Sequence, residues 1–130
     1  MIYRATSSKT LDEIGSALEA AASRHKFGVL TVHDLKQTMQ KKGVELGMDC
    51  RIYEVCNPVQ AKKVLDSDGA VSTALPCRIS VYGSPGHYTV ATMLPTVMMK
   101  AFENPAMEPV AEEVEKNIVA MIDEAVASPV

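Results

Sequence analysis

Apolar and polar positions recur with two periods along this chain, and each change of period marks an element. Residues 2–7 alternate as a strand does. Leu11, Ile14, Leu18, Ala21, Ala22 and His25 then follow at helical spacing behind a Thr10–Glu13 capping box, which predicts a helix over 11–25. The β-branched, apolar run 27–33 predicts a second strand. Asp34, with Gln37 in the box position, caps a short helix over 35–42 that Gly43 ends. A third strand is expected over 50–57. Pro58 opens a helix to Asp66, because proline is tolerated in a first turn. Residues 66–69 read as a turn, 70–75 as another extended run broken by Pro76, and 78–82 as a strand. Gly83-Ser84-Pro85-Gly86 predicts a hairpin into the returning strand 87–93. A helical piece over 96–103 fits between Pro95 and Pro105. Pro109 then opens a terminal amphipathic helix, with Val110, Val114, Ile118, Met121, Ile122 and Ala125 on one stripe. Glu112, Glu113, Glu115 and Lys116 oppose that stripe.

Helices interleave with strands, and the last two strands form a hairpin. The expected fold is α+β: a mainly antiparallel or mixed sheet covered on one face by helices. There is no repeat, linker or low-complexity stretch, so residues 1–130 are expected to form one domain. The second sheet face must be polar or covered by a partner. Tyr53, Val55, Tyr82, Tyr88 and Val90 are too apolar for a wet surface, and a homodimer is expected to cover them.

Composition adds mostly exclusions. The hydrophobic share of 47% and charged share of 22% are ordinary for a globular chain. A net charge of -3 gives no broad attraction to nucleic acid or to anionic membrane. Arg24–Lys26 and Lys41–Lys42 are local basic spots, but both fall where helices end and complement the helix dipole. No apolar run approaches a membrane span, and the strand-like first residues lack a signal peptide's apolar stretch. The expectation is a cytoplasmic protein whose thiols stay reduced. Three cysteines, an odd count, argue against a closed disulfide framework. Glycine-rich phosphate loops, metalloprotease helices and nucleophile elbows are missing. Aromatic residues at 5% do not make a stacking platform for single strands.

The chemistry concentrates at two thiols. Glu54-Val55-Cys56-Asn57-Pro58 and Leu75-Pro76-Cys77-Arg78-Ile79-Ser80-Val81-Tyr82 each place a cysteine at a strand end beside a proline. Alternation puts Cys50, Ile52, Glu54 and Cys56 on one face of their strand, and Cys77, Ile79 and Val81 on one face of the later strand. If those faces coincide, Cys56 and Cys77 line one apolar layer. Buried free cysteine is commonly an inert small hydrophobe. The functional alternative draws on the helix opened by Asn57 and Pro58, whose N-terminus favours a Cys56 thiolate. Arg78 points away from the face of Cys77, and Glu54 shares a face with Cys56. Two thiolates also suit copper(I) or zinc, with soft ligands favouring copper(I). Met98 and Met99 follow the last strand as further sulfur donors, although no Cys-x-x-Cys or Met-x-x-Met spacing supports chelation and methionines commonly fill core gaps. His25, His33 and His87 have no ligand-like partner at helical spacing.

Together the two cysteine motifs resemble the bacterial and archaeal family called domain of unknown function 302. The Phe-Gly-Val-Leu strand ahead of Cys-Asn-Pro and the hairpin after Leu-Pro-Cys-Arg-Ile-Ser-Val-Tyr have its order. The likeness spans roughly residues 2–94, with the terminal helix in register. It implies a small α+β domain that dimerises, with Cys56 and Cys77 at the characteristic thiol positions and Cys50 outside the motif. It implies no activity, and the cofactor stays unknown. Three readings follow. The first is a homodimeric module binding a small ligand near Cys56, Asn57, Pro58, Cys77, Arg78 and Glu54. The second is a thiol-dependent redox or sulfur-handling protein using Cys56 and Cys77. The third is a soft-metal protein using Cys56, Cys77, Met98 and Met99.

Overall fold

The computed structural model describes residues 1–127. Five strands and five helices follow along it: β1 (Ile2–Ser7), α1 (Leu11–Arg24), β2 (Gly28–Asp34), α2 (Leu35–Lys41), β3 (Asp49–Cys56), α3 (Pro58–Ser67), β4 (Cys77–Ser84), β5 (His87–Met93), α4 (Pro95–Met99) and α5 (Glu108–Val126). Short 3-10 turns cover Gly69–Ala74, Lys100–Phe102 and Pro105–Met107. The sheet runs β1-β5-β4-β3-β2, and every neighbouring pair is antiparallel. The fold is α+β.

Local signals account for most element ends. Thr10 and Glu13 form the capping box at the start of α1, each side chain bonding the other's backbone N–H. Asp34 accepts from Gln37 N at the start of α2, and Gly43 leaves that helix at φ 77°. Gly83 and Gly86 supply the positive φ values of the β4–β5 hairpin.

The run 70–75 is not extended. Gly69–Ala74 winds as a 3-10 turn because Asp68 caps it through Ala70 N and the Thr73 hydroxyl donates back to Ala70 O.

The main core lies between the sheet and two helices. Ile14, Leu18, Ala21 and Ala22 of α1 and Ile118, Met121, Ile122 and Ala125 of α5 pack on Tyr53, Val55, Ile79, Val81, Tyr88 and Val90. Each fully buried branched side chain contributes ~1.5–3 kcal/mol relative to exposure. Tyr53, Val55, Tyr88 and Val90 therefore lie under the helices, not on the uncovered face where the sequence reading put them. Cα pairing fixes this: Val55 opposes Cys77, Tyr53 opposes Ile79, and Val81 opposes Val90. Of that set, only half-exposed Tyr82 belongs to the other face, with Ile52, Ser80, Ile2 and Met93.

A second, smaller core of Val64, Val71, Met99, Met107 and Ala111 joins α3, the first 3-10 turn, α4 and α5. It adjoins the end of the sheet where β3 stops and β4 starts.

Candidate functional site

Cys56 is the last residue of β3, and Asn57 turns the chain into α3. The Asn57 carboxamide oxygen accepts from Val59 N at 3.1 Å and Gln60 N at 3.3 Å. It therefore satisfies helix donors that a Cys56 thiolate would otherwise face. Cys77 is the first residue of β4, paired through its Cα with Val55. The two strand faces do not coincide: Cys77 shares its face with Tyr53 and Val55, and Cys56 sits on the opposite parity. The thiols nevertheless lie near each other, because Cys56 stands where β3 gives way to α3.

Both thiols line one crevice between the sheet end and the second core. Phe27 and Val55 line it on the side of the sheet. Ala61 and Val64 of α3, Leu75, Met98 and Met99 near α4, and Val110 and Val114 of α5 complete its sides. Asn57 and Gln60 are its polar residues, and nearly all of the exposed lining is hydrocarbon and sulfur. Its free volume is about 40 Å³. That is room for a few water-sized atoms, against the ~300–1,000 Å³ of pockets for drug-sized ligands.

Burial raises the Cys56 thiol above its ordinary pKa. Burial, with a smaller contribution from the nearby Cys56 charge, pushes Cys77 up to about 11. Both are neutral thiols at neutral pH, and all three cysteines are free. Cys50 is buried elsewhere in the sheet, opposite Tyr82.

Of the candidates named from sequence, the crevice gathers Cys56, Asn57, Cys77, Met98 and Met99. Pro58 is exposed in the first turn of α3. Glu54 and Arg78 are cross-strand neighbours on the uncovered face, where Glu54 pairs with His33. Arg78 borders a shallow groove with Ile2, Ile52, Ser80, Ala91 and Met93. Ala74, Pro76, Cys77 and Met98 border both hollows and form the wall between them. Among the described residues, no three His, Cys, Asp or Glu side chains are grouped to hold a metal; beside the thiols, the crevice lining offers the methionine sulfurs and the Asn57 and Gln60 carboxamides.

Residues 3–125 match the family described as "Domain of unknown function DUF302". The chain belongs to this family. A solved DUF302 structure, that of an uncharacterized conserved protein from Bacillus stearothermophilus, superposes with a TM-score of 0.90 at 30% identity. The alignment covers 95% of this chain and 97% of the other. No functionally curated protein matches. The DUF302 match takes in α5, whose Val110 and Val114 wall the crevice, so the family domain includes the whole site. These wall residues went unread in sequence. Val110 and Val114 looked like core stripe, and Ala61 and Leu75 carry no motif. The His33–Glu54 pair was also missed, because it joins neighbouring strands at a register that spacing along the chain does not reveal.

Proposed function

We propose that this DUF302 domain is a homodimeric binding module whose crevice beside Cys56 and Cys77 takes a soft or apolar ligand of a few heavy atoms. The observation that carries the reading is the hollow itself: elements from five parts of the chain enclose it, and its lining offers hydrocarbon and sulfur with almost no polar surface. A reactive redox thiol needs a lowered pKa, and both thiols are shifted the other way. Free thiols suit the reducing compartment expected for the protein. The partner we assign is a second copy, seated on the uncovered sheet face. Ile2 and Met93 are 43% and 49% exposed there, and Arg78 and Glu54 of one copy can face Glu54 and Arg78 of the other.

Xenon is an apolar probe of suitable size. Under xenon pressure, backbone amide resonances of Val55, Val64 and Val110 are expected to shift in a saturable manner. Ala61→Leu, which places three more carbons at the wall, is expected to abolish the response while the protein stays folded. Unmoved resonances in the parent, or an unchanged response in Ala61→Leu, would show that the crevice does not bind.

A further inference from the structure

We propose that the crevice is a copper(I) site formed by the sulfurs of Cys56, Cys77 and Met98. This names the occupant of the site above and rests on the crevice being a binding site. Size is the first argument: about 40 Å³ accommodates one ion and excludes a drug-sized molecule. Donor chemistry is the second. Thiolate and thioether ligands select copper(I), whereas magnesium and calcium want oxygen and zinc commonly adds imidazole. No histidine, aspartate or glutamate lines the crevice, and the Asn57 oxygen is already engaged by two backbone donors.

Placement is the third argument. Cys56 ends β3, Cys77 begins β4 and Met98 lies on α4, so three separate elements hold the donors. The chelating spacing missing from the sequence is supplied by the fold. Met98 is preferred over Met99 because it shares with Cys77 the wall between the two hollows. Met99 is a buried member of the second core, whereas Met98 is only partly buried and packs against that core's edge. On binding, two copper–sulfur bonds form to the cysteines and their two thiol protons pass to solvent. Copper remains copper(I) throughout. The resulting dithiolate complex carries one negative charge.

The test uses the full-length protein without oxygen, with copper(I) supplied as its coloured bicinchoninate complex. The parent is expected to bleach one equivalent, as are Cys50→Ser and Met99→Leu. Cys56→Ser and Cys77→Ser are expected to bleach none, and Met98→Leu to bind about tenfold more weakly. Thermal melts accompany each variant. Should Cys77→Ser fail to fold, Cys56→Ser, altered at a half-exposed position, still decides. No bleaching by the parent overturns the assignment, as does retained binding in Cys56→Ser or loss in Cys50→Ser. Loss of affinity in Met99→Leu with Met98→Leu unaffected overturns the choice of third ligand. If the parent takes no copper but still responds to xenon, the metal falls and the crevice reading stands; silence in both experiments removes both.

Discussion

His25 faces an oxygen on each side of its ring. The Asn117 carboxamide oxygen lies 2.9 Å from Nδ1, and Glu124 lies 2.5 Å from Nε2. Asn117 turns its oxygen inward because its amide nitrogen donates to Glu113 O at 2.9 Å. Two acceptors call for two ring donors, which only the imidazolium has. The Asn117 bond and then the Glu124 bond raise the His25 pKa above 6.5, while burial opposes them. The same contact lowers Glu124 below 4.5. A raised histidine pKa contributes stability that is complete below the unfolded value and is lost as pH climbs through the folded one. A lowered glutamate pKa contributes above its unfolded value and is lost as pH falls through the folded one. Both terms are therefore present between about pH 4.5 and 6.5. The gap in melting temperature between the parent and His25→Gln is expected to be widest near pH ~5.5 and to narrow steadily towards pH ~9. Melts across that range check it, and a gap that grows with pH would contradict the imidazolium. His25 was legible in sequence as a helix-end residue suited to the dipole. Its partners, about a hundred residues away on α5, were not.

At the scale of elements, one close approach joins α1 to β3. Gly15 lies on the buried side of α1 against the Tyr53 hydroxyl, so a β-carbon there would overlap that oxygen. In an exposed helix, Gly→Ala stabilises by ~1 kcal/mol. Here overpacking, at ~1–3 kcal/mol, opposes that gain and is expected to outweigh it. Gly15→Ala is expected to destabilise the fold by about 1 kcal/mol in urea titration, with the slope unchanged. A stabilised variant would mean that Tyr53 swings aside without cost. Capping and periodicity made α1 readable, because the Thr10–Glu13 box and the stripe are local. The 3-10 turn at Gly69–Ala74 was not readable as such: its β-tolerant residues suggest extension, and the bonds from Asp68 and Thr73 decide otherwise. The same limit misplaced Tyr53, Val55, Tyr88 and Val90, since alternation assigns residues to two faces without saying which face the helices cover.

For the whole molecule, the uncovered sheet face and the crevice pose one question at different sizes: what closes a surface that the chain leaves open. The crevice was half legible. Two motifs announced Cys56 and Cys77, but the meeting of β3, β4 and α4 at one sheet end is a property of topology, and only the order β1-β5-β4-β3-β2 brings it about. The sheet face can be sized from the same topology. Five strands at ~4.8 Å spacing and ~20 Å length present about 500 Å² of plan area. Two such faces cover about 1,000 Å² in plan, which puts the contact near the ~1,200 Å² lower end of stable interfaces. A dimer formed this way should be concentration-dependent rather than permanent. Sedimentation velocity is expected to show monomer at low micromolar protein and dimer at hundreds of micromolar. Ile52 lies half-buried on that face, opposite Ser80. Ile52→Lys puts two like charges against each other across a two-fold axis, which raises the cost of association while leaving the helix-side core untouched. The variant should remain monomeric through the whole concentration range with a melting temperature close to that of the dilute parent. A parent that stays monomeric at the highest concentration, or an Ile52→Lys variant that still dimerises, would move the partner off this face.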